Sequence, residues 1–410
     1  MFTLASCFDQ IVIPNESDER LTIINDEEEL DDRVSFPDTD VPILPPGSLP
    51  SLSGLTAAPP ALAPSSITLT LTAEVLSPTV GGQVVQATSV WATKNDKAIV
   101  SYNMRGAAAL GALDYFTKLT NGRPRLRSSV SFTDSDISAV VTDGSWAYSA
   151  VATEDVAFPF PAVLERIRVQ GDRFRLAQNL RVPLTSFAGT SVMSTDDEVY
   201  VTSGDGGGVF AYDAATLSLL GEFALDDARW VAWDEDNARV VVLQGTPGRL
   251  SVFREGSFPG GSMNLLNTFP FPGADVAESK SAVEIVGGKA FIAAGPEGVQ
   301  IMCLNNGQIV GSVPRPDPAS LGLDPSVVVT NAVTVDDDLL FISNGEAGVY
   351  AAAGEDDFDS TPCGAQQQIT VLGQLQFDNL QSVNHVVYRN KRLFVAAGLG
   401  GIKVVDVRVR

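Results

Sequence analysis

Phe341-Ile342-Ser343-Asn344-Gly345 is one copy of a pattern that also runs through Tyr200-Val201-Thr202-Ser203-Gly204, Phe291-Ile292-Ala293-Ala294-Gly295 and Phe394-Val395-Ala396-Ala397-Gly398. Fainter copies end at Asn103, Val151 and Gly245. The seven anchors recur about every 49 residues, the spacing of four-stranded propeller blades. Around the anchor at Gly345 lie Ala332-Val333-Thr334-Val335, an acidic turn, residues 339–343, a glycine turn, residues 349–353 and residues 369–376. Each run is rich in β-branched and aromatic residues and too short for a helix, so each repeat reads as four strands. The fold class expected is all-β: a seven-bladed β-propeller with four-stranded blades.

The last repeat holds three strands, at 383–388, 392–397 and 402–409. Ile67-Thr68-Leu69-Thr70-Leu71-Thr72-Ala73-Glu74-Val75 alternates apolar and polar side chains just ahead of the first repeat. This N-terminal strand is expected to pair with the last blade and close the ring, which leaves no open edge there. The ring then occupies residues 66–410.

The chain has 410 residues, of which 44% are hydrophobic, and its 36 Gly and 24 Pro favour turns over long helices. A net charge of -23 opposes a phosphate backbone, so no nucleic-acid partner is expected. No apolar run is long enough to span a bilayer, so any membrane contact is expected only through a lipid anchor. Residues 1–65 carry twelve acids and two bases, with prolines concentrated from Pro37 to Pro64. Self-repulsion and proline stiffness predict a disordered, solvated tether that the ring does not need for stability.

Gly400-Gly401-Ile402-Lys403-Val404-Val405-Asp406-Val407 resembles the LVIVD repeat of bacterial and archaeal cell-surface propellers, and Gly208-Val209-Phe210-Ala211-Tyr212-Asp213 is a weaker relative. Val299-Gln300-Ile301-Met302-Cys303 and Val349-Tyr350-Ala351-Ala352-Ala353 lack the terminal Asp of that motif. The resemblance implies a surface location and binding rather than a defined chemistry. Leu4-Ala5-Ser6-Cys7 resembles a lipobox, which implies lipidation at Cys7, a longer precursor carrying a signal peptide, and an extracytoplasmic place on a bacterial outer membrane or cell surface.

Gly245xxGly248, Gly295xxGly298, Gly345xxGly348 and Gly398xxGly401 follow the second strands. Phosphate cradles need a helix N-terminus or a Lys-Ser/Thr pair beside the glycines, so these read as hairpins that visit positive φ. Asp196-Asp197-Glu198, Asp234-Glu235-Asp236 and Asp336-Asp337-Asp338 fall between first and second strands without the spacing of a calcium loop, and read as solvated turns. No metal site, cofactor or catalytic constellation is expected, because His385 is the sole histidine. Cys303 and Cys363 are free to pair or not as far as spacing goes.

Strand direction alternates within a blade, so the glycine turns and the connections between blades share one face of the disc. On this loop face the second repeat replaces its glycine turn with an insertion through Glu154, Phe158, Pro159, Phe160 and Pro161. Two aromatics on a proline-stiffened loop would anchor a partner, or would pack back on the ring. The binding residues expected are Glu154, Phe158, Phe160 and His385. The function expected is a non-catalytic, monomeric binding or scaffolding module for a protein or glycan. The rival is a hydrolase or lyase with its site at the channel mouth, using His385 or Glu284, Glu297 and Glu346.

Overall fold

The computed structural model describes residues 11–12, 18–46, 67–93, 95–106, 108–119, 123–274, 276, 279–375, 377 and 382–409. Seven antiparallel sheets form the blades of a β-propeller, each with four strands counted outward from the channel. Blade one is Gln86–Ala92, Lys97–Asn103, Gly111–Thr117 and Arg125–Phe132; blade two is Ser135–Thr142, Trp146–Thr153, Ala162–Val169 and Phe174–Pro183. Blade three is Gly189–Ser194, Glu198–Ser203, Gly208–Asp213 and Leu219–Ala224; blade four is Ala228–Asp234, Arg239–Gln244, Arg249–Arg254 and Leu265–Pro270. Blade five is Val283–Val286, Lys289–Ala293, Val299–Cys303 and Ile309–Val313; blade six is Ala332–Asp336, Leu339–Ser343, Val349–Gly354 and Ile369–Leu375. Blade seven combines His385–Arg389, Arg392–Ala396 and Ile402–Val409 with Ile67–Val75.

Closure follows the expected pairing, running from Ile402 opposite Val75 to Val409 opposite Ile67. Second and third strands are buried on both faces, as Val240, Val241, Val242 and Leu243 illustrate, so their apolar runs are continuous rather than alternating. The core lies between neighbouring blades: Phe291 and Ile301 of blade five meet Val333, Leu340 and Tyr350 of blade six.

A polar belt ties the inner strands of five blades to the next blade. In blades one to four the inner strand carries an extra residue against the second strand, namely Thr88, Ser138, Thr190 and Arg229. A bulge re-aims its side chain. Thr88 Oγ1 donates to the Ile137 carbonyl at 2.9 Å, Thr190 Oγ1 to Ala228 at 2.7 Å, and Arg229 Nη1 to Ala274 at 2.8 Å, each carbonyl leading into the following blade. Asn331 and Asn384 do the same from blades six and seven, donating to the Val383 and Ala87 carbonyls. The glycine turns complete this seam. Gly295 exchanges two backbone bonds with Thr330, and the Gly345 and Gly398 carbonyls accept from the Val383 and Ala87 N–H groups at the start of the next blade. Gly345 has φ 59°, and a Cβ there would stand 2.3 Å from the Val327 carbonyl, so glycine is required for both conformation and space.

The spacer expected over residues 1–65 does not hold where the chain is described. Residues 18–46 form a strap around the rim, against the order of the blades. Leu21–Ile24 pairs with Ser129–Phe132 of blade one; Val34–Ser35 and Thr39–Asp40 pair with the closing strand of blade seven; Ile43–Leu44 pairs with Gln374 and Leu375 of blade six. Upstream, Ile11–Val12 pairs with Arg181 and Leu180 of blade two. Helix Glu27–Asp31, capped by the Asp26 side chain, buries Leu30 completely against Val75 and Leu126.

Three acids of the strap, Asp18, Glu27 and Asp38, pair with arginines that belong mostly to the ring. Glu27 binds Arg125, Arg127 and Arg173, and Arg20 bridges Asp18, Asp134 and the buried Glu165. Arg33 holds the buried Asp114 of blade one at 2.5 Å while donating to the Leu76 carbonyl leaving blade seven, so it spans the closure seam. A charge count within 1–65 could not register these partners. Residues 1–10, 13–17 and 47–66, with Cys7 and most of the prolines, lie outside the described residues.

Candidate binding face

The insertion of blade two is built on a buried arginine. Arg181 is 1% exposed and touches Asp155 at 3.0 Å, Asp134 at 3.5 Å and Glu165 at 3.6 Å, while its guanidinium lies 4.6 Å from the centre of the Phe158 ring. Thr153 Oγ1 accepts from Arg181 at 2.6 Å, and the Glu154 N–H donates to the Asp134 carbonyl at 2.9 Å. A cation over a ring face and several charge-assisted bonds hold this loop in one conformation. Phe158 is 7% exposed and packs with Phe132, Ile137, Val151 and Val163. The expectation of two exposed aromatics is therefore corrected: Phe158 is core, because the ring's own Arg181 supplies the partner that its face seeks.

Phe160 remains at the surface, 42% exposed, and Val156 at the loop tip is 98% exposed. Sequence reasoning missed Phe187, which is 62% exposed on the connection from blade two to blade three. The Ala162 N–H donates to the Ser186 carbonyl, so the strand start beside Phe160 is joined to the connection carrying Phe187. Glu154 is exposed beside them, next to Asp136, whose carboxyl burial pushes up to about 6. The signal that could have revealed Phe187 is an aromatic inside Leu184-Thr185-Ser186-Phe187-Ala188-Gly189, where a turn needs none.

The channel is crossed at the same face. Position by position, Ser89, Ala139, Ser191, Trp230, Ala282, Ala332 and His385 occupy one ring of inner-strand sites, each followed by valine. Five are small. The two large rings, from blades four and seven, stack with centroids 5.1 Å apart and planes 24° from parallel. Blades so placed meet only through the channel. Lys280, at the start of blade five, likewise reaches across to the Ser138 carbonyl of blade two at 2.9 Å.

His385 is 7% exposed and its Nδ1 accepts from the Val90 N–H at 3.5 Å. Burial, and then the charge of Lys280, push its pKa down to about 3; burial lowers Lys280 to about 8. A neutral imidazole packed on indole is what these groups make.

Glu284 accepts from the Val335 N–H at 3.1 Å, and burial raises it to about 7. Glu297 and Glu346 are exposed at the corners of their glycine turns. Among the described residues no hydrogen bond or ion pair joins these three to His385 or to one another, and no cluster of His, Cys, Asp or Glu is disposed to hold a metal. On the opposite face Asp196, Asp197, Asp336 and Asp337 are exposed turn residues, as read. Asp234 differs: it is buried, with Arg239 at 2.8 Å and Asn237 on its oxygens.

No protein-family model matches this chain, and no curated protein matches it in sequence. Solved structures do. A chain in the crystal structure of a mitotic checkpoint complex is 10% identical, covers 88% of this chain and 100% of its own length, and superposes with a TM-score of 0.54. The computationally designed protein Ika8 is 12% identical over 82% of this chain and 92% of its own, with a TM-score of 0.46. At such identity the likeness extends to the fold alone, and a propeller fold does not by itself fix a function.

Proposed function

We propose that this chain is a non-catalytic, extracytoplasmic binding module, anchored at a bacterial cell surface, which meets a protein partner on its loop face at blades two and three. The observation that carries the binding reading is the exposure of Val156 and Phe160 on a loop immobilised by Arg181, with exposed Phe187 on the adjoining connection to blade three. Apolar side chains held rigid in water lose little entropy when covered, so preorganisation favours association. Two aromatics with an aliphatic tip suit an apolar protein surface better than a sugar, which needs polar partners beside the ring.

The packed, neutral His385 and the dispersal of Glu284, Glu297 and Glu346 support the non-catalytic reading. The Cys303–Cys363 disulfide supports an oxidising compartment, and so do the lipobox-like Leu4-Ala5-Ser6-Cys7 and the LVIVD-like Gly400–Val407.

A photo-crosslinking side chain placed at Val156 tests the reading in the native envelope. A discrete protein adduct is expected, lost when Phe160→Ala is combined with Phe187→Ala at unchanged melting temperature. That pair should weaken the complex by about 1–4 kcal/mol. An adduct with polysaccharide, or one indifferent to both substitutions, would overturn the protein-partner reading.

A further inference from the structure

The outer strands share a second regularity, and it singles out one blade. In six of them one residue is extra against the third strand: Arg127, Leu220, Leu266, Val310, Leu372 and Thr72 in blades one, three, four, five, six and seven. Two positions beyond this bulge the edge is occupied in four blades. Ser129 pairs with Ile24, Glu222 with Ser262, Gln374 with Leu44 and Glu74 with Ser35. Blade two is paired by Ile11–Val12. Blade five is roofed by the connection 355–368, where the Gln367 N–H donates to the Val310 carbonyl at 2.7 Å and the disulfide to Cys363 pins the chain.

Blade four is different. The equivalent residue is Thr268, and among the described residues no strand or loop backbone pairs with it from outside its own blade. Leu265, Leu266, Asn267 and Thr268 are all exposed, with Leu265 at 38% and Leu266 at 37%. An uncovered edge carrying leucines is what natural sheets avoid unless something pairs with it.

We propose that this edge is a docking site for an extended acidic segment of a partner protein, which adds to blade four as a fifth strand. Arg249 stands opposite Pro270 at one end of the edge, and Arg254, whose N–H donates to the Asn264 carbonyl, stands at the other. Both are exposed and neither makes an ion pair with a described residue. In a chain of net charge -23 this bracket of two free arginines selects acidic flanks and repels a second copy. The molecule's own strap shows the chemistry: Leu21–Ile24 adds to blade one while Glu27 settles on Arg125, Arg127 and Arg173. Main-chain bonds supply affinity in such additions, and flanking charge supplies choice.

The probe is a fluorescein-labelled peptide of alternating valine and threonine, about seven residues long to cover the edge at ~3.3 Å each, with aspartates at both ends. Anisotropy with the whole chain at about 0.15 M salt should show saturable binding. Affinity should fall about tenfold or more with Arg249→Glu plus Arg254→Glu, with lysine-flanked peptide, and with peptide N-methylated at alternate amides. These two arginines are exposed, and the altered peptides leave the protein untouched, so misfolding cannot mimic the result. Phe160→Ala with Phe187→Ala should bind the probe normally, which separates this edge from the loop face. Absent binding, indifference to N-methylation or to charge reversal, or a concentration-dependent dimer abolished by the arginine variants would overturn the proposal.

Discussion

Two acid-rich stretches of this chain look alike as sequence and behave oppositely in the fold. Asp26-Glu27-Glu28-Glu29-Leu30-Asp31-Asp32 lies on the rim with Leu30 buried and Glu27 among three arginines, whereas Asp336-Asp337-Asp338 turns between two strands in water. The difference lies in what stands opposite. A carboxylate repels its neighbours in sequence, but an arginine delivered from a distant blade reverses the balance at a few ångströms. Local charge density thus predicts disorder only where the fold supplies no counter-charge.

The largest effect that would sharpen this comparison comes from removing residues 67–75 together with everything before them. Blade seven then loses its outer strand and exposes Val405 and Val407, so aggregation or loss of the cooperative melt is expected in calorimetry. A truncation that retains 67–75 but lacks 18–46 should still fold yet melt well below the full chain. Breaking Arg33 away from the buried Asp114 alone costs about 3–5 kcal/mol. Asp336→Lys with Asp337→Lys should leave the melting temperature almost unmoved. Equal melting of the full chain and the strapless chain would break the contrast between the two acidic stretches.

The insertion gives a smaller, sharper pair. Phe158→Ala removes a ring from the core and should destabilise by about 3–5 kcal/mol. Phe160→Ala, at the surface, should change unfolding midpoints in urea by less than about 0.5 kcal/mol in stability.

The smallest effect is one of pH. Burial raises Glu284 from an ordinary 4.5 to about 7, so the native state keeps a proton that the unfolded chain releases between those values. Stability from this group is complete below pH 4.5 and declines as pH rises toward 7. Glu284→Gln should therefore melt with the parent near pH 4 and above it at pH 8. His385, held down near 3, acts in the opposite sense between 3 and 6.5, so the variant should gain stability with pH across that window. A parent and variant with parallel melting curves from pH 4 to pH 8 would refute the burial of Glu284 as its cause.

Much of the ring was legible because its signals are local and repeated. The aromatic-β-branched-glycine pattern marks second strands, and alternation in Ile67–Val75 marks a strand buried on one face. Glycines at Gly345 and Gly398 announced the positive φ they adopt. Other features depend on meetings between strands that local sequence does not bring together. Trp230 could not be read as the partner of His385, because the two meet only across the closed ring, nor Phe158 as the cover of Arg181, because that contact needs the outer strand of blade two paired beneath its insertion. The inner-strand sites ending in valine were present as Thr88-Ser89-Val90, Arg229-Trp230-Val231 and Asn384-His385-Val386, but only the folded sheet, through a bulge at Thr88 and Arg229, brings their first members to the next blade.

The sequence by itself determined the number of blades, the strands in each and the segment that closes the ring, since periodicity and alternation act within a few residues and survive without knowledge of the fold. Tertiary structure alone decided that the acidic leader becomes a strap, which aromatic of the insertion faces water, and which of seven edges stays open. Those outcomes depend on side chains brought together by strand pairing and packing, and the energy of an ion pair or a covered ring exists only once the two groups share a place.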